Sequence, residues 1–262
     1  MMIRVAKNKD KIKILNFCKN TFSWGDYIEY VWDFWLSEDY LFVFDKKSPV
    51  GICHAFYSKD QVWIEGIRID PNFRRQKIAS KLVMHAESIG QKKNASFSHM
   101  LIDTQNSSSI EMAQSLNYEI FQTWNFYSLL PRINLNHKIK YAESICPKFF
   151  THYVKSWRWL PIDDSTLSQL CENKKIIQSS GFDTDSIAIF TDSEHFDNTL
   201  IVTLFPGSKN SVLEIFSFLQ NYAIKKKYER IQILTKDLLP TFDSLEHKLS
   251  FYLMKKSLIN LN

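Results

Sequence analysis

A chain of 262 residues with 45% hydrophobic and 23% charged residues has an ordinary globular composition, long enough for two domains of about 130 residues each. The net charge of +5 is spread over lysines that often sit beside carboxylates, as between Lys7 and Lys13. The one tight basic run, Lys225-Lys226-Lys227, falls at a predicted helix end where cations complement the dipole, so a nucleic-acid partner is not expected. Cys18, Cys53, Cys146 and Cys171 lack paired spacing, which argues against a metal cluster or a disulfide framework, and no apolar stretch approaches the roughly 18 residues needed to span a bilayer. A cytoplasmic protein with reduced thiols, no metal and no membrane partner is expected, as a monomer or a homodimer.

Ile3 to Val5 reads as a strand, and Asp10 to Thr21 as a helix with Ile12, Leu15, Cys18 and Phe22 on one stripe. The segment Ser23 to Ile28 breaks it, and a second, aromatic helix runs from Glu29 to Leu36. Strands at Tyr40 to Phe44, Val50 to Tyr57 and Val62 to Ile69, joined by turns at Asp45-Lys46-Lys47 and Lys59-Asp60, form an antiparallel meander. After Asp70-Pro71-Asn72 the period becomes helical, with Ile78, Leu82, Val83, Ala86 and Ile89 on one stripe as far as Gly90. A strand at Phe97 to Asp103 follows. Asn106 caps a helix to about Leu116, and Asn117 sits where a left-handed C-terminal residue belongs. Two strands, Tyr118 to Phe121 and Trp124 to Leu129, close the first half.

Residues 1–130 therefore read as one α/β domain with a mixed, mainly antiparallel sheet and flanking helices. Pro131 to Pro147 is polar and basic, and is the expected linker. In residues 148–262, Thr151 to Leu160, Ile187 to Thr191, Thr199 to Phe205 and Glu229 to Leu234 read as strands, with helices at Val212 to Lys226 and Ser244 to Ser257. That final strand, helix, strand, helix order repeats residues 62–116 and implies an internal duplication.

The stretch from Ile67 to Leu82 carries the chemistry. A strand runs through a tight turn into a helix whose first amides lack intrahelical partners, which is an anion-binding arrangement, and Arg74 and Arg75 add charge suited to a pyrophosphate. A basic, solvated helix start is the plainer alternative.

Ile67-x-Ile69-x-Pro71 followed by Arg74, Ile78 and Ala79 resembles the phosphate loop of the GNAT acetyltransferases, although the family's first loop glycine is Lys77 here. Asn106 to Tyr118 resembles that family's asparagine helix and its exit. Asn117 replaces a glycine, and Ala113 stands where the family has a tyrosine acid. The resemblance covers the first half of the chain. It implies the acyl-CoA N-acyltransferase fold and acetyl-CoA as co-substrate, held by Ile67, Arg68, Ile69, Arg74, Arg75, Gln76, Lys77, Ile78, Ala79, Ser80, Asn106 and Ser109. It also implies that the second half is a degenerate repeat, since Pro206-Gly207-Ser208-Lys209 lacks the loop pattern.

GNAT chemistry is attack of a neutral amine on a thioester, so a base is useful. Glu65 alternates onto the face of Ile67 and Ile69 and is the expected base; pairing with Arg68 or a loop lysine is the alternative. Gly66 allows close approach to the strand, or marks a bulge. Tyr118 and Tyr127 are the candidate acids, with plain core packing as the alternative. The resemblance puts this region on the acceptor side, where carboxylates and aromatic faces suit a cationic amine, which makes Trp24, Asp26, Tyr27 and Tyr30 the expected acceptor contacts; plain packing of Tyr30, Phe34 and Trp35 on the sheet is the alternative. Asp26-Tyr27, Trp35-Leu36 and Glu65-Gly66-x-Arg68 also resemble the vertebrate histidine N-acetyltransferase group, implying a small amine or amino acid as acceptor.

Overall fold

The computed structural model describes residues 2–21, 25–133, 138–143, 151–180 and 184–259. In chain order its elements begin with β1 (Met2–Val5), α1 (Lys11–Cys18), α2 (Ile28–Ser37), β2 (Leu41–Asp45), β3 (Pro49–Ser58), β4 (Gln61–Ile69), α3 (Ile78–Lys92), β5 (Phe97–Asp103), α4 (Ser107–Gln114) and β6 (Glu119–Leu129). They continue with β7 (Ile139–Tyr141), β8 (His152–Lys155), β9 (Arg158–Pro161), α5 (Asp164–Glu172), β10 (Ile176–Ser179), β11 (Ile187–Asp192), β12 (Thr199–Phe205), α6 (Lys209–Lys226), β13 (Arg230–Thr235) and β14 (Leu245–Ser257). Two compact units result, one of Met1–Phe121 with Tyr252–Asn262 and one of Gln122–Phe251. The sequence pointed to a division within 131–147. The units instead divide at Phe121, inside a strand read as two but continuous from Glu119 to Leu129.

In the first unit the strand order is β1-β2-β3-β4-β5-β14. The meander is antiparallel through β4, and β5 then pairs parallel to β4, with α3 as the crossover. Alternation along each strand divides its side chains between two faces. Phe42, Phe44, Val50, Cys53, Val62 and Ile64 pack with Ile78, Leu82, Val83 and Ala86 of α3. Leu41, Val43 and Ile52 pack on the other side with Ile14, Ile28, Val31, Trp32 and Trp35 of α1 and α2. Covered faces on both sides explain why the meander strands read as nearly unbroken apolar runs. Each fully buried large side chain contributes about 1.5–3 kcal/mol. Asn106 caps α4 by accepting from the Ser109 amide, and Asn117 adopts φ +66° at the helix exit.

The second unit has the order β6-β13-β12-β11-β10-β7. The steps β10–β11 and β11–β12 are antiparallel, β12–β13 is parallel, and α6 crosses between the last two. Ile215, Phe216, Leu219 and Ala223 of α6 pack on Leu200, Val202, Ile231 and Ile233.

Three expectations are corrected here. Ser244 to Ser257 is not a helix but strand β14. Its apolar residues fit both periods, Leu245, Leu249 and Tyr252 at helical spacing and Leu249, Phe251 and Leu253 at strand spacing, and its place beside β5 selects the strand. Thr151 to Leu160 is a hairpin, turned by Ser156 and Trp157 at φ +50° and +63°. Within the expected linker, Ile139–Tyr141 pairs with β10.

Candidate active site

The turn between β4 and α3 is built from its own polar atoms. Asp70 Oδ1 accepts from the Asn72 amide at 3.0 Å, closing a short turn over Pro71–Phe73. Arg75 and Lys77 then take left-handed backbone conformations, φ +60° and +57°, and α3 starts at Ile78. Lys77 stands in the N-cap position but caps with no side-chain hydrogen bond, and the first intrahelical bond is Lys81 N to Lys77 O. The preceding helix amides therefore have no acceptor within the helix, and Arg74, Arg75, Gln76 and Lys77 are exposed around them. Lys46 Nζ donates to Gln76 Oε1 at 2.5 Å and lies 5.3 Å from the Phe73 ring centre, which bolsters the turn from β2. Such a helix start can receive an anion through backbone N–H groups and positive charge. Glycine would adopt the left-handed conformation of Lys77 without steric cost.

Glu65 lies on β4 just past the stretch that pairs with β5. The parallel register with β5 runs from Gln61↔Phe97 to Ile64↔Met100, and Glu65 follows. On the other side the register with β3 shifts between Ile52 and His54, so that His54 opposes Glu65 and Ile52 opposes Arg68. This is a bulge at Gly66, whose φ is +64° and whose place a Cβ would fill 2.4 Å from the Trp35 ring. The extra residue reverses the alternation. Glu65 and Arg68 share the face toward α2, while Ile67 and Ile69 pack on the α3 side, so the expectation of Glu65, Ile67 and Ile69 on one face is corrected.

The α2 face carries a connected set of side chains. Arg68 Nε donates to Asp26 Oδ2 at 2.6 Å and Nη2 to Asp26 Oδ1 at 3.1 Å, and its guanidinium lies 5.2 Å from the Tyr27 ring centre. Tyr27 meets Trp35 edge-on at 6.0 Å, and Trp35 stacks on His54 at 4.7 Å with an interplanar angle of 4°. Burial pushes the Tyr27 phenol above its ordinary range. His54 Nδ1 lies 2.9 Å from Glu65 Oε1, its Nε2 faces Glu38 Oε2 at 3.3 Å, and Trp63 Nε1 donates to Glu65 Oε2 at 3.2 Å. Glu65 thus pairs with a histidine, and the arginine considered for it belongs to Asp26. His54, Glu38 and Trp63 escaped the sequence reading. The two-residue Lys59-Asp60 turn sets Ser58 opposite Gln61, and counting back along that register brings His54 to Glu65.

Other expected residues lie elsewhere. Tyr118 is buried and donates to Glu87 Oε1 at 2.7 Å; its hydroxyl also meets Ser98 Oγ, and Lys256 Nζ holds Glu87 Oε2 at 2.7 Å. Burial and the Glu87 charge raise its phenol well above the ordinary value. Tyr127 belongs to the second unit, where its hydroxyl accepts from the Leu239 amide at 3.1 Å. Tyr30 is 71% exposed on the side of α2 opposite Ile28, Val31 and Trp35, so it is not brought to Asp26 and Tyr27. Asn106 and Ser109 are engaged in the α4 cap, Ala113 is fully buried, and Trp24 lies outside the described residues.

The sequence has no significant match among curated proteins. A Thermoplasma acidophilum protein provisionally classed as an acetyltransferase has a similar structure, with TM-score 0.66 at 14% identity, covering 98% of this chain and 100% of its own. A GCN5-related N-acetyltransferase from Sphaerobacter thermophilus gives TM-score 0.65 at 11% identity, covering 98% and 95%, and one from Anabaena variabilis gives 0.53 at 12%, covering 98% and 73%. At these identities the likeness speaks for the fold. Residues 10–118 match the profile described as the acetyltransferase (GNAT) family. That segment holds the bulged strand, the left-handed turn and α3, so the similarity to the GNAT acetyltransferase family falls on the residues that build the site.

Proposed function

We propose that this protein is an acetyl-CoA-dependent N-acetyltransferase that acetylates the primary amine of a small molecule or amino acid by direct attack on the thioester. The observation that carries the reading is the uncapped, left-handed start of α3 at Lys77, reached directly from the bulged strand that bears Glu65. Backbone amides of the first turn with Arg74 and Arg75 receive the pyrophosphate. Glu65 takes a proton from the acceptor ammonium, and the freed amine forms its bond to the thioester carbon as the C–S bond breaks. Tyr118 and Tyr127 are each committed to other acceptors or donors, so the departing thiolate takes the second proton from the attacking nitrogen. Asp26, Tyr27 and Arg68 form the polar wall on the acceptor side.

In this reading the second unit is a degenerate repeat without a co-substrate, and the protein works in the cytoplasm as a monomer or homodimer. A different reading, a catalytically weakened acyl-CoA-binding or regulatory protein, is favoured by Lys77 and Ala113 at positions where the family carries glycine and tyrosine. Titrating the protein with acetyl-CoA by calorimetry, followed by a free-thiol assay over amino acids and polyamines, tests the choice. Binding with turnover on one amine class is the expected result. Absence of binding at millimolar acetyl-CoA overturns the enzyme, and binding without turnover on any amine leaves the regulatory protein.

A further inference from the structure

The carboxylate of Glu65 is held by two buried rings. Trp63 stands two residues earlier on β4 and so shares its face, while His54 opposes it from β3. The indole Nε1 donates to Oε2 at 3.2 Å and the imidazole Nδ1 meets Oε1 at 2.9 Å, so a ring nitrogen serves each oxygen. An ionised carboxylate can only accept, which places the imidazole hydrogen on Nδ1. Nε2 lies 3.3 Å from Glu38 Oε2 but makes no hydrogen bond, so none competes for that hydrogen from the other side of the ring. Trp35 stacks on the imidazole at 4.7 Å and fixes its plane, a place open to Trp35 because a Cβ at Gly66, 2.4 Å from its ring, is absent. Both donor rings are buried, whereas the Glu65 side chain keeps 12% of its surface exposed, an edge at which an acceptor can meet it.

We propose that His54 and Trp63 are the positioning residues of the acetyl-transfer base: their N–H groups aim the Glu65 carboxylate and keep it ionised until the acceptor ammonium arrives. The inference rests on the acetyl-transfer reading of the site. Hydrogen bonds donated to a carboxylate favour its charged form, and they gain strength in a dry setting. The other charged or titratable groups facing Glu65 are Glu38 at the end of α2, Cys53 beside His54 on β3, Tyr27 ahead of α2, and Arg68 on β4 with its partner Asp26. Glu38 adds a like charge, and the charge of Arg68 is offset by Asp26, so the two ring donors are what favours the anion. Once Glu65 has taken the acceptor's proton, both bonds weaken. The proton then passes to water as the amide product leaves, and the donors restore the base. His54 and Trp63 act through Glu65 in every step.

Two measurements test this. In the unliganded protein, nitrogen-15 NMR is expected to find a hydrogen on His54 Nδ1. Carbon-13 titration of the Glu65 carboxyl is expected to move to higher pH by about one unit in Trp63→Phe, which keeps a ring and loses the donor. The direction follows because a lost donor destabilises only the anion. An Nδ1 without hydrogen, or a titration unmoved in Trp63→Phe, overturns the proposal whether or not any amine is turned over. In the assay, the acid limb of kcat/KM against pH is expected to move upward with that titration while acetyl-CoA affinity stays native. His54→Asn, whose amide N–H can take the Nδ1 place, is expected to displace the limb less than His54→Ala, a difference that lost packing alone does not produce. Equal displacement by the two overturns the role of His54. The Trp63 variant remains informative if the histidine variants fail to fold. Failure of acetyl-CoA to bind the native protein removes the acetyl-transfer reading and leaves the NMR result standing, so the two failures are distinct.

Discussion

Helices α3 and α6 begin in the same topological setting, each crossing between a pair of parallel strands, yet their first turns are opposite in character. At α3 the N-cap is a left-handed lysine with no capping side-chain bond, in an exposed basic turn. At α6 the N-cap is Ser208, whose hydroxyl accepts from the Ser211 amide. The turn before it is also consumed by its own unit. Gly207 N donates to Ser186 Oγ at 2.9 Å, Ser208 N to Thr184 O at 2.9 Å, and the Ser186 and Ser211 hydroxyls meet at 2.6 Å. A Cβ at Gly207 would lie 2.3 Å from Thr184 O and 2.5 Å from Asp185 O, so the chain itself fills the space over this helix start. A helix terminus is an anion site only while its amides remain unspent. One fold element therefore yields a receptive end in the first unit and an occupied one in the second.

The largest expected effect tests whether chemistry follows the same division. Strand β4 carries Glu65 directly after the stretch that pairs with β5, whereas its counterpart β12, Thr199–Phe205, contains no carboxylate. Glu65→Gln is expected to lower turnover by about a hundredfold or more while calorimetric binding of acetyl-CoA is retained. Unchanged turnover removes Glu65 from the mechanism, and with it the reason for assigning catalysis to the first unit.

A smaller effect is expected at Gly207. Adding a methyl group there forces it against the Thr184 and Asp185 backbone and costs about 1–3 kcal/mol in a urea or thermal melt. Acetyl-CoA binding should remain at one equivalent with its native affinity. If Gly207→Ala instead gains a second equivalent, the covering of α6 is a removable plug, and the contrast between the two helix starts is one of degree.

The legible parts of the molecule were those in which local chemistry and tertiary context agree. The meander, α3 and the α4 cap follow from apolar periodicity and from Asn106 and Asn117, whose side chains suit a cap and a left-handed exit. Strand β14 was illegible because Leu245, Leu249 and Tyr252 satisfy a helix equally well, and its place beside β5 depends on a strand some 150 residues away in sequence. Helix α5 was missed although Asp163, which accepts from the Thr166 amide, gives it a cap signal. The site was half legible. Arg74 and Lys77 announce the turn, but the face that Glu65 occupies is set by a single extra residue at Gly66, and a bulge inverts every alternation argument beyond it. His54 stayed hidden because a lone histidine in an apolar strand acquires meaning only from its cross-strand partner.

The subtlest test concerns Lys77, where backbone and charge pull in different directions. At φ +57° a residue with a Cβ is strained by roughly 1–2 kcal/mol, while glycine forfeits roughly 0.5–1 kcal/mol of chain entropy on folding. Lys77→Gly should therefore stabilise the protein by an amount between zero and about 1.5 kcal/mol. Its effect on acetyl-CoA has two components, the loss of a cation near the pyrophosphate and the closer approach permitted to the backbone amides. Lys77→Ala separates them, since it removes the charge but keeps the Cβ and its strain. If close approach dominates, the glycine variant binds acetyl-CoA more tightly than native and the alanine variant more weakly. If both bind more weakly by the same factor, the lysine is a phosphate ligand in its own right, and the receptive end of α3 owes its affinity to side-chain charge as well as to unspent amides. A glycine variant that melts below the native protein would show that the left-handed lysine is not strained, and the contrast with the capped start of α6 would lose its conformational half.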